Sequence, residues 1–177
     1  MKIGIFGCGG IGSNVAMNLI REGIHNLILI DFDRVDLSNL NRQFYFQEDL
    51  NLYKPFQLEK NLKKINPAIE VFPIIEKIDS TNIDKYIDSC DILVEAFDNK
   101  EMKKLLIEHS KNKFFVSANG IGGTNLETIK IRKFAQGYIV GDFNSDIKNH
   151  RTHSSKVMTV ANIMSNIIYK YIKGEKI

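Results

Sequence analysis

The fold of this chain can be read first in Ile3-Gly4-Ile5-Phe6-Gly7-Cys8-Gly9-Gly10-Ile11-Gly12-Ser13. A short apolar run ends in glycines, and from Ile11 to Glu22 the residues Val15, Leu19 and Ile20 recur at helical spacing, with Gly23 as the C-cap. This is strand, turn, helix. Glycines at such a turn let the backbone approach a ligand and aim unpaired N–H groups at a phosphate. Gly7, Gly9 and Gly12 match GxGxxG, and Gly10 lies within the same turn. Leu27 to Ile30 forms a second apolar run that closes on Asp31, which makes a βαβ unit with parallel strands.

Further along the chain the alternation continues. Lys54 to Ile65 carries Leu58, Leu62 and Ile65 at helical spacing and stops at Asn66-Pro67. Val71 to Ile75 reads as a strand, Asn82 to Ile87 as a short helix, Ile92 to Val94 as a strand, and Lys100 to Lys111 as the helix behind it. Phe114 to Ser117 is a fifth strand, and Thr128 to Lys133 with Tyr138 to Val140 read as a late hairpin. Gly141 to Lys156 is polar and without period, a long surface loop, and Val157 to Ile172 closes the chain as an amphipathic helix, serving either core or a dimer face. The expected fold class is α/β, Rossmann-like, with a mainly parallel sheet flanked by helices and late antiparallel edge strands. Residues 1–177 are expected to form one domain.

Composition excludes more than it selects. At 177 residues, with 44% hydrophobic and 25% charged residues, the chain can bury one ordinary core. A net charge of +3 on scattered lysines gives no argument for nucleic acid. No apolar run reaches the roughly 18 residues needed to span a bilayer, and no signal-peptide pattern precedes the first strand, so a cytoplasmic protein without a membrane partner is expected. Cys8 and Cys90 form no CxxC pair, which rules out a zinc tetrathiolate, and both read as packed small residues.

Asp31 ends the second strand, where a carboxylate accepts hydrogen bonds from ribose hydroxyls, and to this point NAD fits as well as ATP. Asp33 falls on the same side of an extended chain; a solvated turn acid is the other reading. Asn39, Arg42 and Gln43 are spaced to share one face of a helical turn and to present amides and a guanidinium together. Lys54 opens the next helix, either as an exposed lysine or as a second cation suited to a triphosphate. Asp98 follows a strand whose end borders the ligand crevice of an open parallel sheet, where it would hold Mg²⁺ or cap the next helix.

Taken together, Gly7 to Ser13 (GCGGIGS), Asp31 to Gln43 (DFDRVDLSNLNRQ), Lys54 with Asn66-Pro67, and Glu95 to Asn99 (EAFDN) resemble the ThiF family of ubiquitin-activating-enzyme-like adenylyltransferases. Ser38 to Gln43, EAFDN and Gly141-Asp142 look most like its short ThiF branch, acting on the sulfur carrier ThiS. The resemblance implies ATP and Mg²⁺ in the crevice, no structural zinc, and activation of the C-terminal glycine of a small ubiquitin-like sulfur carrier with a Gly-Gly terminus as an acyl-adenylate, in thiamine thiazole biosynthesis. It implies Asp31 as the ribose acid and Asn39, Arg42 and Lys54 as the phosphate set with Gln43 beside it. Asp98 is then the metal ligand, and the protein a homodimer. The catalytic set that the resemblance implies is Arg42, Lys54 and Asp98.

The pattern departs from larger family members in two places. They place an arginine, given by the partner subunit, ahead of the first strand, whereas here that strand begins at Lys2. Some carry a thioester- or persulfide-forming cysteine after the fifth strand, and this sequence has none there. His150 and His153, with Arg151 and Lys156, admit a metal site or a substrate clamp, but are expected to form a solvated basic loop, and the loop Asn144 to Ser154 would close over the carrier's glycine tail. An oxidoreductase using NAD(P), supported by the glycine turn, Asp31 and a Tyr169/Lys173 pair, is one alternative. A non-catalytic nucleotide-binding scaffold is another.

Overall fold

The computed structural model describes residues 1–146 and 149–177. Its strands are β1 (Ile3–Phe6), β2 (Asn26–Asp31), β3 (Glu70–Ile75), β4 (Ile92–Glu95), β5 (Phe114–Ala118), β6 (Lys130–Phe134) and β7 (Gly137–Gly141). Its helices are α1 (Gly10–Arg21), α2 (Lys54–Lys63), α3 (Ile83–Asp88), α4 (Lys100–His109) and α5 (Ser154–Lys173). The strands form one sheet in the order β3-β2-β1-β4-β5-β7-β6, all parallel except the β6/β7 pair. β1, β4 and β5 are buried along their whole length, which is why they read as unbroken apolar runs. The Rossmann-like expectation therefore holds, and so does the late antiparallel pair. β7 lies parallel beside β5, however, so of this pair β6 alone is an edge strand, with β3 at the opposite edge.

Strand order reverses at β1, whose Phe6 stands opposite Ile30 of β2 and Glu95 of β4. The residues that follow these three strands gather at one end of the sheet, the crevice where ligands bind in open α/β folds. Gly7 N donates to Ile30 O at 2.9 Å and Ala96 N to Phe6 O at 2.9 Å, so the turns leave the sheet already tied to one another.

Two motif glycines are required by packing. A Cβ on Gly12 would lie 1.8 Å from Gly7 O, and Gly7 has φ +99°, with its Cβ direction 2.6 Å from Ala96 O. Gly9 is different, for the nearest atom to its Cβ direction is Gln43 Nε2 at 3.9 Å.

The last helix corrects the sequence reading. α5 starts at Ser154, so Lys156 sits in its first turn, 1% exposed, and is not part of a solvated loop. A lysine reads as solvent-facing because burying an ammonium is costly, and only its partner Asp142 makes this position tolerable. Of the stripe on this helix, Val157, Val160, Ala161, Met164, Ile167 and Ile168 are at most 2% exposed and belong to the core, while Tyr171 at its end is 41% exposed. The helix after β4 is capped by Asn99, whose Oδ1 accepts from Met102 N at 2.8 Å, and not by Asp98. Among the described residues no helix is long and apolar enough to cross a membrane.

Gly12→Ala should destabilise the fold by roughly 1–3 kcal/mol or more, because the clash is with backbone, and a shifted urea midpoint would show it. Gly9→Ala, placed in open space, should unfold within about 1 kcal/mol of the parent in the same titration.

Candidate functional site

A cavity of about 800 Å³ opens at the carboxyl ends of β1, β2, β4 and β5. Gly7, Gly9 and Gly10 border it from the turn, Asp31, Asp33, Arg42, Gln43 and Lys54 from one flank, and Asp98 from the other. Gly12 and Asn39 do not line it.

Asp31 is used twice by the backbone. Its Oδ2 accepts from Cys8 N at 2.7 Å and its Oδ1 from Asp33 N at 2.8 Å, which locks the glycine turn to the end of β2. Burial pushes the Asp31 carboxyl up, against the pull of Lys54 and of those two amides. Lys54 is 6% exposed and its Nζ lies 2.8 Å from Asp33 Oδ2. The exposed-lysine reading is thereby overturned. Asp33 makes the burial of this ammonium affordable.

Asn39 O accepts from the amides of Arg42 and Gln43, at 3.1 and 2.9 Å, forming the helical turn that the spacing implies. The Asn39 side chain turns the other way, its Oδ1 accepting from Asp36 N at 3.0 Å in a capping box. Arg42 Nη1 donates to Ser38 O and Asn41 Oδ1, while Nη2 and Nε have no partner among the described residues. Gln43 Oε1 is buried and has no donor there either, an acceptor left open at the cavity wall.

The residues that hold this flank were missed by the sequence reading. Asn14 Nδ2 donates to Gly10 O and Arg42 O at 2.7 and 2.8 Å, and Phe44 N donates to Ser13 Oγ at 3.0 Å. Tyr45 Oη donates to Cys8 O at 2.8 Å, with Lys54 O at 3.4 Å. The available signal was two polar residues, Ser13 and Asn14, standing among the apolar residues of a helix start. Buried polar groups of that kind must have partners.

On the opposite flank, Asp98 is exposed and makes no hydrogen bond or ion pair among the described residues, while Glu95 is fully buried against Lys103 and Ser117. Deeper along that wall, Lys156 Nζ donates to Asp142 Oδ2 and to Gly122 O, the latter at 2.7 Å. Asp142 Oδ1 also accepts from the amides of Asn144 and Ser145, both at 2.8 Å. Burial opposes its charge, but Lys156 and those amides outweigh it and hold the carboxyl well below the usual range.

The remaining candidates lie elsewhere. Tyr169 and Lys173 contact each other, with Nζ 5.5 Å from the ring centroid, and neither borders the cavity. His153 is the N-cap of α5, His150 packs beside Gly122, and no metal-holding group of three His, Cys, Asp or Glu occurs among the described residues. Thr152 reaches the cavity, but the loop assigned to the carrier's tail includes residues 147–148, outside the described residues. Burial pushes the thiols of Cys8 and Cys90 up, in keeping with packed cysteines.

Residues 1–175 match the ThiF family. The chain is 37% identical over 106 residues to molybdopterin-synthase adenylyltransferase of Haemophilus influenzae, covering 59% of this chain and 44% of that protein. It is 28% identical over 153 residues to tRNA threonylcarbamoyladenosine dehydratase of Escherichia coli, covering 82% and 57%. It thus spans about half the length of these curated relatives. The crystal structure of the E. coli dehydratase in complex with ATP has a TM-score of 0.90 at 20% identity, covering 98% of this chain and 86% of that one. That of E. coli MccB with ATP has a TM-score of 0.79 at 24% identity, covering 98% and 56%. These structural likenesses show the fold.

Asp142→Asn should cost about 3–5 kcal/mol, since it leaves the Lys156 ammonium buried and unpaired. A depressed folded-state pKa means that the Asp142 contribution is complete above the unfolded value, about 3.9, and drains away as pH falls toward the folded value. Unfolding free energies measured from pH 7 down to pH 2 should show this loss below about pH 4 in the parent and lack it in the variant.

Proposed function

The chain belongs to the ThiF family, and we propose that it is an ATP-dependent adenylyltransferase that activates the C-terminal glycine carboxylate of a small ubiquitin-like carrier protein as an acyl-adenylate. The observation that carries this reading is the convergence of the glycine turn, Asp31, Arg42, Gln43, Lys54 and Asp98 on one cavity. The residues fit a nucleotide. Space lies open at Gly9, Gln43 Oε1 lacks a donor, and Nη2 and Nε of Arg42 lack acceptors, so a ligand with both donor and phosphate groups answers all three.

In this reading the N–H groups of the turn and Arg42 bind phosphate oxygens, Lys54 adds a fixed positive charge, and Asp31 receives the ribose hydroxyls. ATP with Mg²⁺, when bound, supplies an electrophilic α-phosphate and pyrophosphate as leaving group. Asp98 fits the metal, since Mg²⁺ is commonly held by one or two carboxylates together with phosphates. The attacking carboxylate is already a nucleophile, so the protein's contribution is alignment and charge neutralisation by Arg42 and Lys54, with no general base needed. Asn39 acts one step back, shaping the turn that carries Arg42 and Gln43.

The finer assignment is a ThiS-like sulfur carrier serving thiazole synthesis, in a homodimer. It rests on the resemblance of Ser38 to Gln43, EAFDN and Gly141-Asp142 to the short branch. The relatives named for molybdopterin synthase and for tRNA modification define the alternatives for a substrate panel. No observation favours the nicotinamide reading, since Tyr169 and Lys173 stand away from the cavity.

Carrier-dependent ATP–pyrophosphate exchange tests the proposal, run with small carriers ending in Gly-Gly. Arg42→Ala and Asp98→Ala should each lower exchange on the order of 10²–10³-fold, the scale of losing one transition-state charge contact. Gly9→Ala should weaken ATP binding at nearly unchanged stability. Exchange that survives both alanine variants would sink the residue roles, and NADH binding tighter than Mg·ATP would reverse the choice of reaction.

A further inference from the structure

Glu95 ends β4 with its side chain wholly buried, and donors converge on both of its oxygens. Phe97 N donates to Oε1 at 2.8 Å; Lys103 Nζ reaches Oε1 and Oε2 at 3.1 and 3.0 Å; Ser117 Oγ donates to Oε2. A carboxylate removed from water is tolerated when a cation and further donors satisfy it in this way. Lys103 itself is only partly covered, 23% exposed, and borders the cavity together with Asp98.

The spacing of these residues matters. Asp98 stands between two fixed points, the Phe97 amide held by Glu95 and the Asn99 side chain that caps α4. Lys103 belongs to the same helix, and its ammonium would be a free cation on the Asp98 wall if Glu95 did not engage it. Asp33 does the same for Lys54 across the cavity, but there the ammonium is buried, whereas Lys103 keeps a route to the open space. Asp98, by contrast, has no partner among the described residues.

We propose that Glu95 is a positioning residue that acts through Lys103: by engaging the ammonium, it keeps Lys103 from neutralising Asp98 and leaves that carboxylate free for a divalent cation. The inference rests on the reading of the cavity as a Mg·ATP site. Glu95→Gln keeps the shape and an acceptor for the Phe97 amide while releasing Lys103, so the effect it reads is charge.

The probe is Mn²⁺, its binding to the protein saturated with a non-hydrolysable ATP analogue followed by electron paramagnetic resonance. Glu95→Gln should weaken Mn²⁺ binding at least tenfold, since one unit charge within roughly 10 Å of a divalent cation at an effective dielectric near 20 amounts to more than that. Adding Lys103→Met to that variant should restore binding to within about threefold of the parent, which a distorted turn would not allow. Unchanged binding in Glu95→Gln, or a loss that Lys103→Met does not repair, overturns the proposal. If Glu95→Gln does not fold, Lys103→Met alone should leave Mn²⁺ binding within about threefold of the parent, since Glu95 already withholds that charge from Asp98, and a several-fold tightening there overturns the proposal equally. A parent protein that binds the analogue but no Mn²⁺, or neither, would instead overturn the adenylyltransferase reading.

Discussion

The contact on which the rest of the structure depends is that of α1 with the glycine turn, where Gly12 meets the carbonyl of Gly7 with no room for a methyl group. This closeness sets α1 against the sheet, and two side chains of its first turns then do the positioning. Asn14 holds the Arg42 carbonyl and Ser13 the Phe44 amide, so a segment with little regular structure of its own is carried by a rigid helix. Tyr45 completes the frame from the turn to the start of α2. A site assembled from loop residues can be precise only if an element of this kind supports it.

Beside the cavity, three ion pairs among the described residues have one partner largely withdrawn from water, Asp33 with Lys54, Glu95 with Lys103, and Asp142 with Lys156, while the Lys100 and Asp146 pair is more exposed. Such pairs contribute little net stability compared with apolar packing, and they are costly to break. Their value here is location, since each joins segments that apolar contacts alone would leave loosely placed. Asp142 holds the amides of Asn144 and Ser145 and the first turn of α5 through Lys156, which in turn reaches the Gly122 carbonyl, while Asp33 and Lys54 join the end of β2 to α2. Arg42 and Asp98, which make no ion pair among the described residues, face the cavity from opposite flanks. An anion with a bound cation suits that division of charge.

Much of the fold was legible because its strands are buried on both faces and its helices on one, and both patterns are written in the spacing of apolar residues. β1, β2, β4 and β5 fell where the apolar runs predicted. Gly7, Gly10, Asp31, Asp33, Arg42, Gln43, Lys54 and Asp98 are brought to one cavity, as are Gly9 and its open space. Less legible was anything that depends on a partner distant in sequence. Lys156 was read as solvated because nothing in its neighbourhood announces Asp142, and Glu95 passed as one letter of a motif although it is the most completely engaged carboxylate of the site. Asn39 shares a turn with Arg42, but its side chain satisfies Asp36 instead of the cavity.

By itself the sequence determined the α/β alternation, the glycine turn after the first strand and the residue types that answer a nucleotide's phosphates, because these follow from local spacing and backbone sterics. Only the tertiary structure decided which charged side chains are free. Lys54, Lys103 and Lys156 are equivalent as letters, and all three are engaged by carboxylates that the fold brings to them, while Asp98 is left open. The physical reason is that the cost of burying a charge is set by what stands within a few ångströms of it, and that distance exists only after the sheet has closed.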